Sequence, residues 1–266
     1  MKFKYIPKLI TLVSLLLLFV LSGCGSKTGG SSNQPSEKEY LTNKGKLTYA
    51  MSGLLKPLNY KDKGKLVGFD VEIGEEISKR IGLKANPVTN PWETIIQGLK
   101  GKKYDAIIGS MTDTPERSKQ VDFTNPYYIS GAQIFVSNSN NTIKSEDDLK
   151  NKRIGIMQAS TYKQTAEKYT NDIKNYPSDV YALQDLVPGR VDAVITDRIV
   201  GVSAIKQEGL QIKTVGDLLQ KENISIAVNK DNPILLKKIN NAIKEMVEDG
   251  TYEKISKKWF GENVLK

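Results

Sequence analysis

The sequence has no histidine and a single cysteine, and each shortage removes a class of chemistry. Without an imidazole, no side chain titrates unperturbed near neutral pH to act as a general base. With one thiol no intrachain disulfide forms, and a His/Cys metal cluster is out of reach. Aromatic residues are only 8% of the chain, with two tryptophans. The one long apolar run, residues 9–21, falls short of the roughly 20 residues that span a bilayer. What remains is carboxylate-based acid–base work and carboxylate metal sites. The 266 residues are 39% hydrophobic and 26% charged, enough for a real core in one large domain or two small ones.

The apolar run follows MKFKYIPK, which carries three lysines, and precedes Leu21-Ser22-Gly23-Cys24. A basic start, a short apolar stretch and small residues before the cut describe an export signal over 1–23. The lone cysteine stands where cleavage would make it the first mature residue, in the pattern of a bacterial lipobox, so lipid is expected on Cys24. Removing 23 residues and their three lysines leaves 243 residues and lowers the charge excess from +9 to +6. The remaining lysines are scattered, without an aromatic-interleaved basic motif, and the chain is exported, so no nucleic-acid partner is expected. Residues 24–42 begin GSKTGGSSNQPSEKE after the cysteine and show no apolar pattern; they read as a flexible tether.

From Lys46 onward strand-like and helix-like stretches alternate. KLTYAMS (46–52), KANPV (84–88) and YDAIIGS (104–110) read as strands. Asp70 is expected to cap a helix over 71–81, with Ile73, Ile77 and Ile81 on one face. Asn90-Pro91 is expected to cap and open the next helix. A second cycle has a short helix at 145–150, a strand RIGIM (153–157), a helix from Ser160-Thr161, and VDAVI (191–195) before a helix from Arg198. The rhythm predicts α/β architecture with mainly parallel sheets flanked by helices, in two lobes. AQIFVSN (132–138) and ISIAVNK (224–230) are the expected crossings between them. Lobe 1 is then 43–134 plus 230–266, and lobe 2 is 135–229.

Parallel sheets gather ligand contacts beyond the carboxyl ends of their strands. Those ends carry Ser110, Thr112 and Arg117 in one cycle, and Met157, Ser160, Thr161 and Asp197 in the other. A guanidinium can hold a carboxylate in a two-pronged bond, and Asp197 can accept an ammonium. The pair suits a free amino acid bridging two lobes. Surface ion pairing of Arg117 and helix capping by Asp197 are the plainer roles of the same residues. Tyr127 and Tyr128 are expected to pack near the first crossing rather than against ligand.

The runs LVGFDVEIGEEI (66–77), YDAIIGSMTDTPERSKQVDFTNPYY (104–128), DLKNKRIGIMQASTY (148–162), GRVDAVITD (189–197) and DGTYEKISKKWFG (249–261) resemble the extracellular solute-binding proteins of the polar amino acid ABC transporters, bacterial solute-binding protein family 3. The resemblance covers about residues 45–262. It implies a two-lobed periplasmic-binding-protein-like fold of type II with two hinge strands, closing on one L-amino acid. By its pattern Arg117 and Thr161, with the Ser160 turn, meet the ligand carboxylate and Asp197 holds the α-ammonium. Ser110 and Thr112 contact the ligand from lobe 1, and Met157 and Trp92 form walls. Leu55 stands where the second wall is often Tyr, and Leu58 where Phe is common. Ser52 takes the place of an acid that often grips basic side chains, which favours a neutral polar or sulfur-containing amino acid over lysine or arginine; Glu93 or Asp113 would reverse this if either pointed inward. The resemblance further implies a monomeric lipoprotein on the extracytoplasmic face of a Gram-positive cell membrane, delivering to ABC permease subunits, with no cofactor and no catalysis. A sensor that binds without transport and a dehydratase on the same fold are the competing readings.

Overall fold

In chain order the elements are β1 (Lys46–Met51), β2 (Leu54–Leu55), β3 (Asn59–Asp62), β4 (Lys65–Val67), α1 (Phe69–Arg80), β5 (Lys84–Thr89), α2 (Ile95–Lys100), β6 (Ala106–Thr112), α3 (Pro115–Ser118) and β7 (Asp122–Ser137). They continue with β8 (Ile154–Met157), α4 (Tyr162–Ala166), β9 (Ile173–Tyr176), α5 (Asp179–Gln184), β10 (Ala193–Asp197), α6 (Arg198–Glu208), β11 (Ile212–Val228), α7 (Pro233–Glu248) and α8 (Thr251–Phe260). The computed structural model describes residues 41–265, all within one compact unit of the chain. The expected signal at 1–23, the lipid site at Cys24 and nearly all of the tether lie outside the described residues.

Two α/β lobes share one ladder. Eight strands run in the order β5-β1-β6-β11-β7-β10-β8-β9. At one end β1 pairs in parallel with β5 and β6; at the other β8 pairs in parallel with β10 and β9. The long strands β7 and β11 run antiparallel between them and are the hinge strands. The first part of β7 belongs to the first lobe, while Ala132–Phe135 pairs with β10 of the second. Both crossings were expected as seven-residue strands; they extend over 16 and 17 residues. A small antiparallel sheet, β2-β3-β4, had no counterpart in the expected elements.

Apolar residues cover both faces of the ladder. Ile95, Leu99, Tyr104, Ile107 and Met111 pack on one side of the first lobe. Ile134, Ile143, Leu149, Ile154 and Ile156 pack on one side of the second. A larger cluster includes Leu47, Ile73, Ile77, Leu235 and Ile239. The Ile73–Ile77 spacing thus buries one face of α1, as its period predicts. Gly201 lets α6 lie close on β7: a Cβ there would sit 2.1 Å from the Phe135 ring.

Two expected caps are corrected. Helix α1 begins at Phe69 after Gly68, and Asp70 is fully buried inside its first turn instead of capping it. Gly68 has φ 131°, and a Cβ there would meet the Leu58 carbonyl oxygen at 2.2 Å, so only glycine fits the entry. Asn90 donates to the Pro91 carbonyl and Thr94 Oγ1 and caps nothing; a short 3₁₀ turn, Trp92–Thr94, leads into α2. By contrast Asn232 caps α7, its side chain accepting from the Leu235 N–H at 3.2 Å, with Pro233 in the first turn.

Candidate functional site

A cleft runs between the lobes at the carboxyl ends of β6, β8 and β10. Leu55, Leu58, Trp92, Ser110, Thr112, Arg117 and Tyr128 line it from one side. Met157, Ser160, Thr161, Tyr162, Asp179 and Asp197 line it from the other. The space between these side chains, open solvent at the mouth included, is about 370 Å³. Nine of the ten expected site residues line this one cleft. Ser52 does not. Its hydroxyl donates to Asn59 Oδ1 at 3.1 Å and it borders a separate surface hollow. Glu93 borders that same hollow and Asp113 lies outside the cleft, so neither acid points inward.

Strand β6 delivers Ser110 and Thr112 at its end, and the turn after it presents Arg117. Thr114 caps α3 by accepting the Arg117 N–H at 3.2 Å, which fixes where the side chain leaves the backbone. Arg117 Nη1 donates to the Thr112 carbonyl at 2.9 Å, and its guanidinium lies 5.7 Å from the centre of the Trp92 ring. It has no ion pair among the described residues. Burial lowers its pKa, and the nearby Glu222 carboxylate works against that shift.

Opposite it, Asp197 ends β10 and caps α6. Its Oδ1 accepts from Ser130 Oγ at 2.8 Å and from the Ile199 N–H at 2.6 Å, while Oδ2 has no hydrogen-bond partner among the described residues. Capping and cleft lining are thus properties of one carboxylate. Burial pushes its pKa up to about 7. Ser160 Oγ donates to the Met157 carbonyl at 2.6 Å and holds the turn before Thr161. Helix α4 starts only at Tyr162 and is five residues long, shorter than the helix expected from Ser160.

Four participants were missed. Tyr128 is fully buried and lines the cleft, against the expectation that it packs away from ligand, and its hydroxyl has no partner among the described residues. Asp179, at the start of α5, is 3% exposed; its Oδ1 accepts from Thr196 Oγ1 at 2.6 Å, and burial raises its pKa to about 6. Glu222 on β11 accepts from Thr161 Oγ1 at 3.0 Å, Gln220 Nε2 at 2.7 Å and Tyr162 at 3.3 Å, and Thr112 Oγ1 reaches it from the first lobe at 3.4 Å. Asp70, beneath the cleft floor, accepts from Asn59 Nδ2 at 2.6 Å, Ser110 Oγ at 2.8 Å and the Tyr127 hydroxyl at 2.6 Å. Of these, the alternation of β11 marks Glu222 as an acid in a strand; no local signal distinguishes the others.

The lobes also meet directly at the mouth. Ser178 Oγ donates to the Leu54 carbonyl at 2.8 Å, and Gln158 donates to Glu93. Lys56 pairs with Glu208 at 3.5 Å, and Gln207 donates to the Trp259 carbonyl at 3.2 Å.

The profile of the bacterial extracellular solute-binding proteins, family 3, matches residues 47–262. The chain is 35% identical to the L-cystine-binding protein TcyJ of Escherichia coli K12, over 89% of this chain and 92% of that one. It is 34% identical to the arginine-binding extracellular protein ArtP of Bacillus subtilis 168, over 95% and 97%. Among solved structures it resembles an ancestral arginine-binding protein bound to glutamine, with a TM-score of 0.77 and 42% identity over 83% of this chain and all of that one.

Proposed function

Since the chain belongs to the family 3 bacterial extracellular solute-binding proteins and is a binding protein rather than an enzyme, we propose how it binds a free amino acid for delivery to an ABC permease. Arg117 takes the ligand carboxylate, helped by Thr161 and the Ser160 turn. Asp197 Oδ2 takes the α-ammonium. Ser110 and Thr112 add contacts from lobe 1, and Leu55, Trp92 and Met157 wall the side chain. The carrying observation is that Arg117 and Asp197, from opposite lobes, line one cleft. Both ligand charges must be paired on burial, so selectivity for the amino acid head group follows. The two lobes close about the middles of β7 and β11, and a ligand touching both shifts the population toward closure.

The ligand in this reading is a neutral polar or sulfur-containing amino acid ahead of lysine or arginine, with cystine first. Apolar walls at Leu55, Leu58 and Met157 suit a thioether or disulfide, and similarity to TcyJ points the same way. Calorimetry with cystine tests the site: Arg117→Ala or Asp197→Ala is expected to weaken binding by at least about tenfold, or ~1.4 kcal/mol. Unchanged affinity in both variants refutes these roles. The protein works on the outer face of the membrane, held there by lipid on Cys24 as a monomer in a Gram-positive cell. The intact mass of the exported protein checks the anchor, and a mature chain without a lipid increment rejects it.

A further inference from the structure

The end of lobe 1 away from the cleft carries an unbalanced positive charge. Strands β1, β5 and β6 are parallel and point their carboxyl ends at the cleft, so their amino ends form the opposite end of the lobe. Lys44 and Lys46 lead into β1 there, Lys84 opens β5, Lys100 ends α2, and Lys102 and Lys103 follow it. Strand β11 also finishes there, pairing Val228 with Ala106, and Lys230 comes two residues later. All seven lysines are exposed. The acids carried by the same strand ends and turns are Asp105, Asp122 and Asp231, so seven cations face three anions, a local charge of +4. Asp105 is buried and accepts the Thr42 and Thr48 N–H groups at 2.5 and 2.7 Å. Lys102 takes Asp231 at 2.6 Å and Lys230 takes Asp122 at 3.1 Å. The other five lysines have no ion pair among the described residues.

Local structure accounts for little of this. Lys100 suits the carbonyl end of α2. Lys46 and Lys84, however, are partners in the β1–β5 register, two like charges abreast on neighbouring strands. They repel, and an anion outside the chain is what relieves them. The cations here are all lysine, compact charges rather than two-pronged forks, and no exposed aromatic stands among them. Such a surface suits a diffuse layer of anions better than one bound anion or a run of stacked bases. The described residues also begin at this end: the Thr42 backbone is bonded to Asp105, and Asn43 bridges to Lys46. Residues 24–40 separate this point from the proposed lipid on Cys24. A chain of that length reaches at most about 60 Å, and the surface within that reach is the membrane that the anchor enters.

We infer that this end of lobe 1 is a membrane-contact surface that rests on anionic phospholipid headgroups and turns the cleft toward the medium. Each lysine near an anionic bilayer adds a small attraction; the attractions sum, and they fade beyond a Debye length. The inference goes beyond the amino acid site. It takes the proposed anchor only as the reason for choosing a membrane over other anionic partners.

Cosedimentation with vesicles tests this, using the whole mature chain with Cys24→Ser so that no lipid is attached. Vesicles of phosphatidylcholine with about one third phosphatidylglycerol are expected to bind it at least about tenfold more tightly than pure phosphatidylcholine, and about 0.5 M salt should erase the difference. Lys44→Glu, Lys46→Glu, Lys84→Glu and Lys103→Glu together should bring the anionic vesicles down to the neutral level. The same change of charge at Lys61, Lys63, Lys65 and Lys206, on the small sheet and α6, should keep most of the preference. Glutamine at the first four positions repeats the measurement if the reversed variant does not fold, and failure of both to fold makes these lysines structural and overturns the inference. Equal losses in the two sets, or no preference for anionic vesicles before the lysines are changed, also overturn it. So does a preference that soluble poly(glycerol phosphate) abolishes at matched phosphate concentration, which assigns the surface to a wall polymer instead. The assay uses neither an amino acid nor the anchor, so failure of either of those readings leaves its outcome distinct.

Discussion

Asp70 shows how much one buried carboxylate can organise. It sits in the first turn of α1, yet its three bonds go to β3, β6 and β7, through Asn59, Ser110 and Tyr127. Asn59 in turn accepts from the Gly53 N–H at 2.9 Å and from Ser52. The Tyr127 hydroxyl accepts the Ser110 N–H at 3.0 Å, at a residue held in the left-handed region with φ 63°. Burial raises the Asp70 pKa to about 6 although three donors oppose that shift. An amide at this position cannot accept all three bonds without turning its own N–H groups toward a donor. Asp70→Asn is therefore expected to lower stability by about 1–3 kcal/mol in urea unfolding and to weaken ligand binding through Ser110. A variant as stable as wild type would show that the network is dispensable. The residue types proposed for the head group, Arg117 and Asp197, were legible in sequence because each lies at, or within a few residues of, the carboxyl end of a strand. Asp70, Asp179 and Tyr128 were not. Their partners lie far along the chain, and an Asp before an apolar stretch looks the same whether it caps a helix or anchors a floor.

At the scale of elements, periodicity told most where burial is one-sided. The Ile73–Ile77 face of α1 was read from local pattern, and local pattern determines it. The long strands escaped it in part. The apolar portions of β7 and β11 mark where each strand is buried, but the polar stretch 220–223 of β11 is strand because residues 129–132 of the other hinge strand pair with it. The β2-β3-β4 sheet is invisible for the same reason, since two- to four-residue strands carry almost no period. That sheet nonetheless sets the cleft wall, because Leu55 ends β2 and Leu58 directly precedes β3.

The molecule as a whole couples protons to both folding and binding. Burial raises Asp70 and Asp179 to about 6 and Asp197 to about 7, whereas unfolded aspartates titrate near ~4. Between about pH 4 and pH 7 the folded protein thus holds more protons than the unfolded chain, so the stability of the ligand-free protein falls as pH rises through that window. Asp249, held down to about 2 by Thr251 and Arg80, acts in the opposite sense, but only below about pH 4. The absence of histidine leaves the window to these carboxylates. In the proposed site ligand binding runs the other way, because the ammonium there needs Asp197 ionised. Melting temperatures from pH 5 to pH 8 are expected to drop without ligand, while the increment given by saturating ligand grows. A ligand-free melting temperature that climbs over this range contradicts the assignment.

The bonds at the mouth use only groups of the chain itself, Ser178 with Leu54 and Lys56 with Glu208. Part of the drive to shut is therefore independent of cargo. A transporter that recognises the shut outline would spend some encounters on carriers with nothing to hand over. Import at low nutrient supply then depends on rim residues that never touch the nutrient, and a weaker rim trades a lower grip for fewer wasted dockings.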